Sequence, residues 1–131
     1  MSKRVAIIAA NGTLFDAYKV FNIATAAAAS EAEVGIFFTF EGLNLIHKEA
    51  HKQLPLPPGK EAMKEMLAQA NIPSIPQLLD MAKELGVRLT ACQMSMDIMN
   101  IKEQDLIDGI DVAGAAAFLD FAYDADVTLT F

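Results

Sequence analysis

Cys92 is the only cysteine in the chain, and it stands where the apolar run Val87–Cys92 gives way to Gln93-Met94-Ser95-Met96-Asp97. A thiol between the end of a strand and the first turn of a helix lies beside backbone N–H groups that have no intrahelical partner and carry partial positive charge. Such surroundings favour the thiolate, which is the form of cysteine that acts as a nucleophile. A cysteine two residues earlier in the same strand would serve as a small core hydrophobe, a role free cysteine often takes. The residues alone leave both roles open. Met94, Met96 and Met99 suit core packing, and their thioethers could also form a soft, water-poor wall around a sulfur-containing ligand.

Other chemistry-bearing residues are scattered. Gly12 and Thr13, after Asn11, open a helix and are candidates to line an anion site, as are the turns at Gln93 and Gly114. His47 and His51 stand at helical spacing, and Lys48 and Lys52 repeat it. With Lys60 and Lys64 they form either an anion or partner-docking patch or a solvated helix face. No third ligand accompanies the histidine pair at a recognisable spacing, so no metal site is expected. Glu41 could act as an acid or base, or could complement a helix dipole. Gly59-Lys60 lacks the upstream glycine of a P-loop and no G-x-G-x-x-G occurs, so no nucleotide cofactor is expected. Ser2, Ser30, Ser74 and Ser95 lie in no nucleophile elbow.

The elements that must position these residues alternate. Arg4–Ala10, Glu33–Phe38 and Val87–Cys92 read as buried strands, with shorter strands at Gly109–Val112 and near the end of the sequence at 126–131. Helical periodicity runs over Thr13–Ser30, after Cys92 to Met99, and over 114–125. Asn100 suits a left-handed helix cap. The order predicts one α/β domain over residues 1–131, a three-layer α/β/α sandwich on a mostly parallel, five-stranded sheet. The interval from Thr39 to Gly86 is long for one crossover. It is read as helices over Leu43–Gln53, Lys60–Ala70 and Gln77–Leu85, so that a helical insert at about 41–75 is a candidate lid or docking element.

Parallel strands with right-handed crossovers bring the breaks after Ala10, Phe38, Cys92 and Val112 to one edge of the sheet. Composition narrows what that edge can bind. Ten Lys and Arg stand against seventeen Asp and Glu, for a formal charge of −7, which disfavours nucleic acid and anionic membranes. Apolar residues make up 53% of the chain, rich for a small monomer, so a homo-oligomer is expected. The apolar run Val5–Ala10 is shorter than the roughly 7–15 residues of a signal peptide's core. No stretch approaches the roughly 18 apolar residues of a membrane span. With one cysteine and no disulfide to form, a cytoplasmic location is expected.

"ACQMSMDIMN" with "LIDGIDVAGAAAFL", "FFTFEGLNLI", "NIPSIPQLLDMAKELGV" and the "NGTL" loop closely resembles the DsrE/DsrF/DsrH-like superfamily, in particular the branch with the C-Q-M-S-M-D pattern. The likeness runs along nearly the whole chain. Asn11 replaces the family's usual serine, Phe15 stands where an aspartate commonly follows Thr-Leu, and Asn100 replaces a common glycine. The resemblance implies an α/β/α sandwich, homo-oligomers and sulfur transfer, with sulfane sulfur carried as a persulfide on the cysteine matching Cys92. It also implies exchange with TusA-like carriers or rhodanese-like donors. The leading expectation is therefore a sulfur carrier or sulfurtransferase acting through Cys92. A non-catalytic oligomeric binding module for a small anion or protein is the second. A thiol peroxidase is the third, weakened by the lack of a resolving cysteine.

Overall fold

The computed structural model describes residues 2–131. Five strands, β1 (Arg4–Ala9), β2 (Glu33–Phe38), β3 (Arg88–Cys92), β4 (Asp111–Ala113) and β5 (Val127–Thr130), form one sheet in the order β4-β3-β2-β1-β5. Every pairing is parallel. The helices are α1 (Leu14–Ala29), α2 (Lys64–Gln69), α3 (Ile75–Glu84), α4 (Gln93–Met99) and α5 (Ala115–Ala122). The fold is the three-layer α/β/α sandwich that the alternation of elements predicts.

From β1 to β4 each strand is laid down beside the last in one direction, and β5 then returns to the far side of β1. Right-handed crossovers put the helices of the outward series on one face and the helix of the return crossover on the other. Side chains follow. Val5, Ile7, Ala9, Val34, Ile36, Phe38, Leu89 and Ala91 join Val20 and Phe21 of α1 and Leu78 and Leu79 of α3 in one hydrophobic cluster. The alternate residues Ala6, Gly35, Phe37, Arg88, Thr90 and Cys92 face α5, because successive strand side chains point to opposite faces. There Phe37 stacks on Phe118 with centroids 4.9 Å apart, and Phe121 lies between the guanidinium groups of Arg4 and Arg88 at 4.5 and 5.0 Å. A Cβ on Gly35 would come within 2.8 Å of the Phe121 ring, so the glycine lets α5 settle onto the sheet.

The segment after β2 departs from the expected helix over Leu43–Gln53. It forms two 3-10 turns, Phe40–Leu45 and Ala50–Lys52, on either side of an antiparallel bridge between His47 and Leu106. The Ile46 carbonyl accepts from Ile107 N at 2.9 Å, and Lys48 N donates to the Asp105 carbonyl at 2.8 Å. These bonds to a loop far along the chain replace the i to i−4 bonds of a helix. A methyl on Gly42 would overlap the Ala9 carbonyl, so this turn presses directly on the end of β1. The segment expected to be helical over Lys60–Ala70 is a 3-10 turn at Glu61–Met63 followed by α2, with no buried residue in either. α3 starts ahead of the expected Gln77, because Ser74 caps it. Gln77 N donates to Ser74 Oγ at 3.3 Å and Ser74 N donates to Gln77 Oε1 at 2.8 Å. β4 lies slightly later than read, Gly109 being a turn residue at φ +85°.

Candidate functional site

Cys92 ends β3 and is at the same time the N-cap of α4, with extended backbone angles of −73° and 115°. Its ladder partner is Ala113, the last residue of β4, and Gly114 follows as the N-cap of α5. Here the connections diverge. The chain leaving β3 turns towards the main core, where Met96 of α4 packs, and the chain leaving β4 crosses to the opposite face as α5. Neighbouring parallel strands whose following connections separate open a crevice at their carboxyl ends, which is where ligands bind in open α/β sheets. Cys92 and Gly114 occupy that point.

Cys92 is buried, with 5% of the residue exposed. It lies outside the main hydrophobic cluster, on the thinner α5 side of the sheet. Beyond its ladder partner Ala113 the chain is small and open: Gly114, Ala115, Ala116 and Ala117 are all exposed, and a Cβ placed on Gly114 would meet nothing within 4 Å. Cys92 accepts no capping hydrogen bond. Ser95, at the third position of α4, is fully buried, and its hydroxyl has no hydrogen-bond partner among the described residues. Sequence reasoning passed over Ser95 because it lies in no serine-nucleophile motif. Its spacing of three from Cys92 is the signal that could have found it.

The other expected residues fall in three places. Gln93 opens α4, and its side-chain amide donates to Asp97 Oδ1 at 2.9 Å. Gly12 and Thr13 lie at the end of β1, two strands from Cys92, or about 10 Å at the usual strand spacing. Thr13 is committed to Asp16: its amide donates to Asp16 Oδ2 at 3.0 Å and its hydroxyl to the same oxygen at 2.6 Å, and Asp16 N donates to Thr13 Oγ1 at 3.2 Å. A Cβ on Gly12 would press within 2.5 Å of the Glu41 carbonyl oxygen. The amide and hydroxyl of Thr13 are thus already bonded within the loop.

His47, Lys48, His51 and Lys52 do gather, through a bridge and a 3-10 turn. His47 Nδ1 accepts from Glu49 N at 3.1 Å and Ala50 N at 3.2 Å, so this nitrogen carries no proton there. His51 is buried with Nδ1 2.7 Å from the His47 carbonyl oxygen, an arrangement that requires a proton on that nitrogen. Lys48, Lys52 and Lys83 line a depression of about 340 Å³ together with His51, Glu49 and Asp108. Charge of both signs therefore rims it. No group of three or more His, Cys, Asp or Glu side chains is placed to hold a metal ion among the described residues, and no described helix is long and apolar enough to cross a membrane.

The sequence matches the DsrE/DsrF/DrsH-like family over residues 1–58 and 57–130. The chain belongs to that family. Among DsrE-like proteins, it is 34% identical over 154 aligned residues to the sulfur carrier protein DsrE2 of Allochromatium vinosum, covering 97% of each chain. It is also 34% identical to the uncharacterized protein YrkE of Bacillus subtilis, covering 98% of this chain and 96% of that one. The crystal structure of the E. coli ychN protein superposes along the full length of both chains with a TM-score of 0.73 at 19% identity. The parallel five-stranded sheet with helices on both faces is thus a fold shared with the solved ychN chain.

Proposed function

We propose that the chain is a sulfur carrier that holds sulfane sulfur as a persulfide on Cys92 and passes it to a partner thiol. One observation carries this reading: the single cysteine of a chain so similar to a named sulfur carrier stands at the β3/β4 divergence, where an open α/β sheet binds its ligands. In the loading step Cys92 thiolate attacks the outer sulfur of thiosulfate or a polysulfide. A Cys92 S–S bond forms, the donor's S–S bond breaks, and its electron pair leaves on sulfite or the shortened polysulfide. In the unloading step an acceptor thiolate attacks the outer sulfur and Cys92 departs as thiolate, so no outside oxidant or reductant is consumed. The amides that open α4 at Gln93 and α5 at Gly114 supply partial positive charge to the anionic sulfur.

The finer features belong to the same proposal. The C-Q-M-S-M-D run supports membership in one branch of the family. TusA-like acceptors and rhodanese-like donors suit a reducing compartment such as the cytoplasm. The chain acts as one domain in which the 41–75 segment, with His47, Lys48, His51 and Lys52, selects the protein partner. It works as a homo-oligomer, because α5 is apolar nearly throughout yet buries only Phe121, with Leu119 and, just past the helix, Tyr123 exposed.

Intact-mass spectrometry after thiosulfate or polysulfide treatment tests the carrier role. Wild type should gain sulfur that a reductant removes, and Cys92→Ser should gain none. Equal loading of the Cys92→Ser chain would remove Cys92 from the mechanism. The 5% exposure of Cys92 favours a second reading, a non-catalytic binding module. That reading predicts that Cys92→Ser keeps full partner affinity while reversing the charge of Lys48 or Lys52 weakens it. A thiol peroxidase stands third, for want of a second cysteine in the chain.

A further inference from the structure

Three helices of this chain start from an extended N-cap residue with a polar side chain at the third helical position: Thr13 with Asp16, Ser74 with Gln77, and Cys92 with Ser95. In the first two the paired side chains and amides close reciprocal capping boxes, with Asp16 N donating to Thr13 Oγ1 at 3.2 Å and Gln77 N donating to Ser74 Oγ at 3.3 Å. The third pair makes neither half. Cys92 accepts no capping bond and the buried Ser95 hydroxyl finds no partner among the described residues. Helical side chains lean back towards the N-terminus, and positions three apart share a face. The Ser95 hydroxyl is therefore directed at the turn that Cys92 begins, the place where the two closed boxes make their contacts.

A buried hydroxyl without a partner costs stability, and alanine would remove the cost at almost the same volume. In the resting thiol the group has nothing to bond. An added sulfur atom stands about 2.05 Å beyond Sγ, carries negative charge and accepts hydrogen bonds. Resting on the carrier role proposed above, we infer that Ser95 is the hydrogen-bond donor that holds the outer, anionic sulfur of the Cys92 persulfide. Ser95 moves no electrons in the transfer. It touches the cargo, slows its loss to stray thiols, and releases it when the acceptor forms the new S–S bond.

The test compares wild type, Cys92→Ser, Ser95→Ala and Ser95→Thr in polysulfide loading, in persulfide lifetime under dilute dithiothreitol, and in thermal midpoint. A donor to a charged acceptor is worth about tenfold or more in lifetime. Ser95→Ala should therefore load on Cys92 but lose its sulfur at least about tenfold faster, with a midpoint equal to or above wild type, and Ser95→Thr should restore part of the lifetime. A wild-type lifetime in Ser95→Ala would overturn the role of Ser95 while leaving the carrier reading intact. A Ser95→Ala chain that fails to fold would overturn it as well, because the hydroxyl would then be a structural donor. Absence of loading in wild type, or equal loading in Cys92→Ser, would instead defeat the carrier reading.

Discussion

On one face of the sheet α1 and α3 close over Ile7, Ile36 and Phe38 until none of them meets solvent; on the other, a single helix of eight residues, α5, buries only Phe121 of its own side chains. Adjacent residues of β2 belong to different worlds. Phe38 lies in the sealed core with its ring centroid 6.2 Å from that of Phe21, and Phe37 stacks on Phe118 of the thin layer. The sealed face supplies most of the hydrophobic stabilisation, which scales with apolar area withdrawn from water. The thin face carries Cys92. In the carrier role proposed above, the thiol gains from standing where little has to move for a reactant to approach, and the division would separate the groups that hold the fold from those that meet a partner.

The largest effect that could break this comparison comes from the two phenylalanines. Phe38→Ala should cost about 3–5 kcal/mol, the range for emptying a rigid core site. Phe37→Ala should cost less, about 3 kcal/mol or below, because α5 can relax into the vacated space and the cost depends on how well a site collapses. Urea unfolding of the two variants measures the difference. Equal losses would mean that both faces are equally rigid.

Gly35→Ala probes the thin face from beneath. The new methyl would lie 2.8 Å from the Phe121 ring, and overpacking of this kind costs about 1–3 kcal/mol. Adding Phe121→Leu should recover part of that loss, a coupling that a double-mutant cycle reads directly. Simple additivity would show that Gly35 does not support α5.

Much of the architecture is legible in the residues, because buried parallel strands and capped helices announce themselves locally. "VAIIA", "IFF" and "LTAC" are apolar on both faces, and Asn100 ends α4 at φ 54° as a left-handed cap. The segment after β2 is not legible, because Ile46 and Lys48 find their hydrogen bonds on Ile107 and Asp105, partners no local window contains. The end of β3 is the natural place to look for Cys92, yet the proximity of Gly114 depends on strand order, and strand order is a tertiary fact. Thr13 looks free in the sequence and is occupied in the structure, since the Thr-x-x-Asp box closes on itself. Ser95 is the converse. Its type suggests nothing, and beyond its spacing from Cys92 it is the absence of a partner that marks it.

Thr13→Ala sharpens the contrast between a closed capping box and an open one. Losing the box should cost about 1 kcal/mol of stability, the usual worth of an N-cap. Sulfur loading on Cys92 should stay at the wild-type level, because every Thr13 donor already serves Asp16. A drop in loading without a matching fall in stability would bring the Gly12-Thr13 loop back into the site.

The smallest expected change in folding lies on the outer surface of α5. Leu119 is 43% exposed and Tyr123, just past the helix, is 76% exposed, so Leu119→Lys or Tyr123→Lys should move the unfolding free energy by no more than about 0.5 kcal/mol in an isolated chain. If a second copy covers this face, the same substitutions bury a charge against apolar surface, and the assembly pays for it. Light scattering over a range of protein concentrations should then show a fall in average mass for both variants, with little change in the midpoint measured at high dilution. A constant mass would mean that α5 stays bare, and the thin face would then owe its apolar surface to a different partner. The experiment therefore separates two uses of one surface: closing an oligomer, or waiting open for the acceptor protein that the proposed carrier role requires.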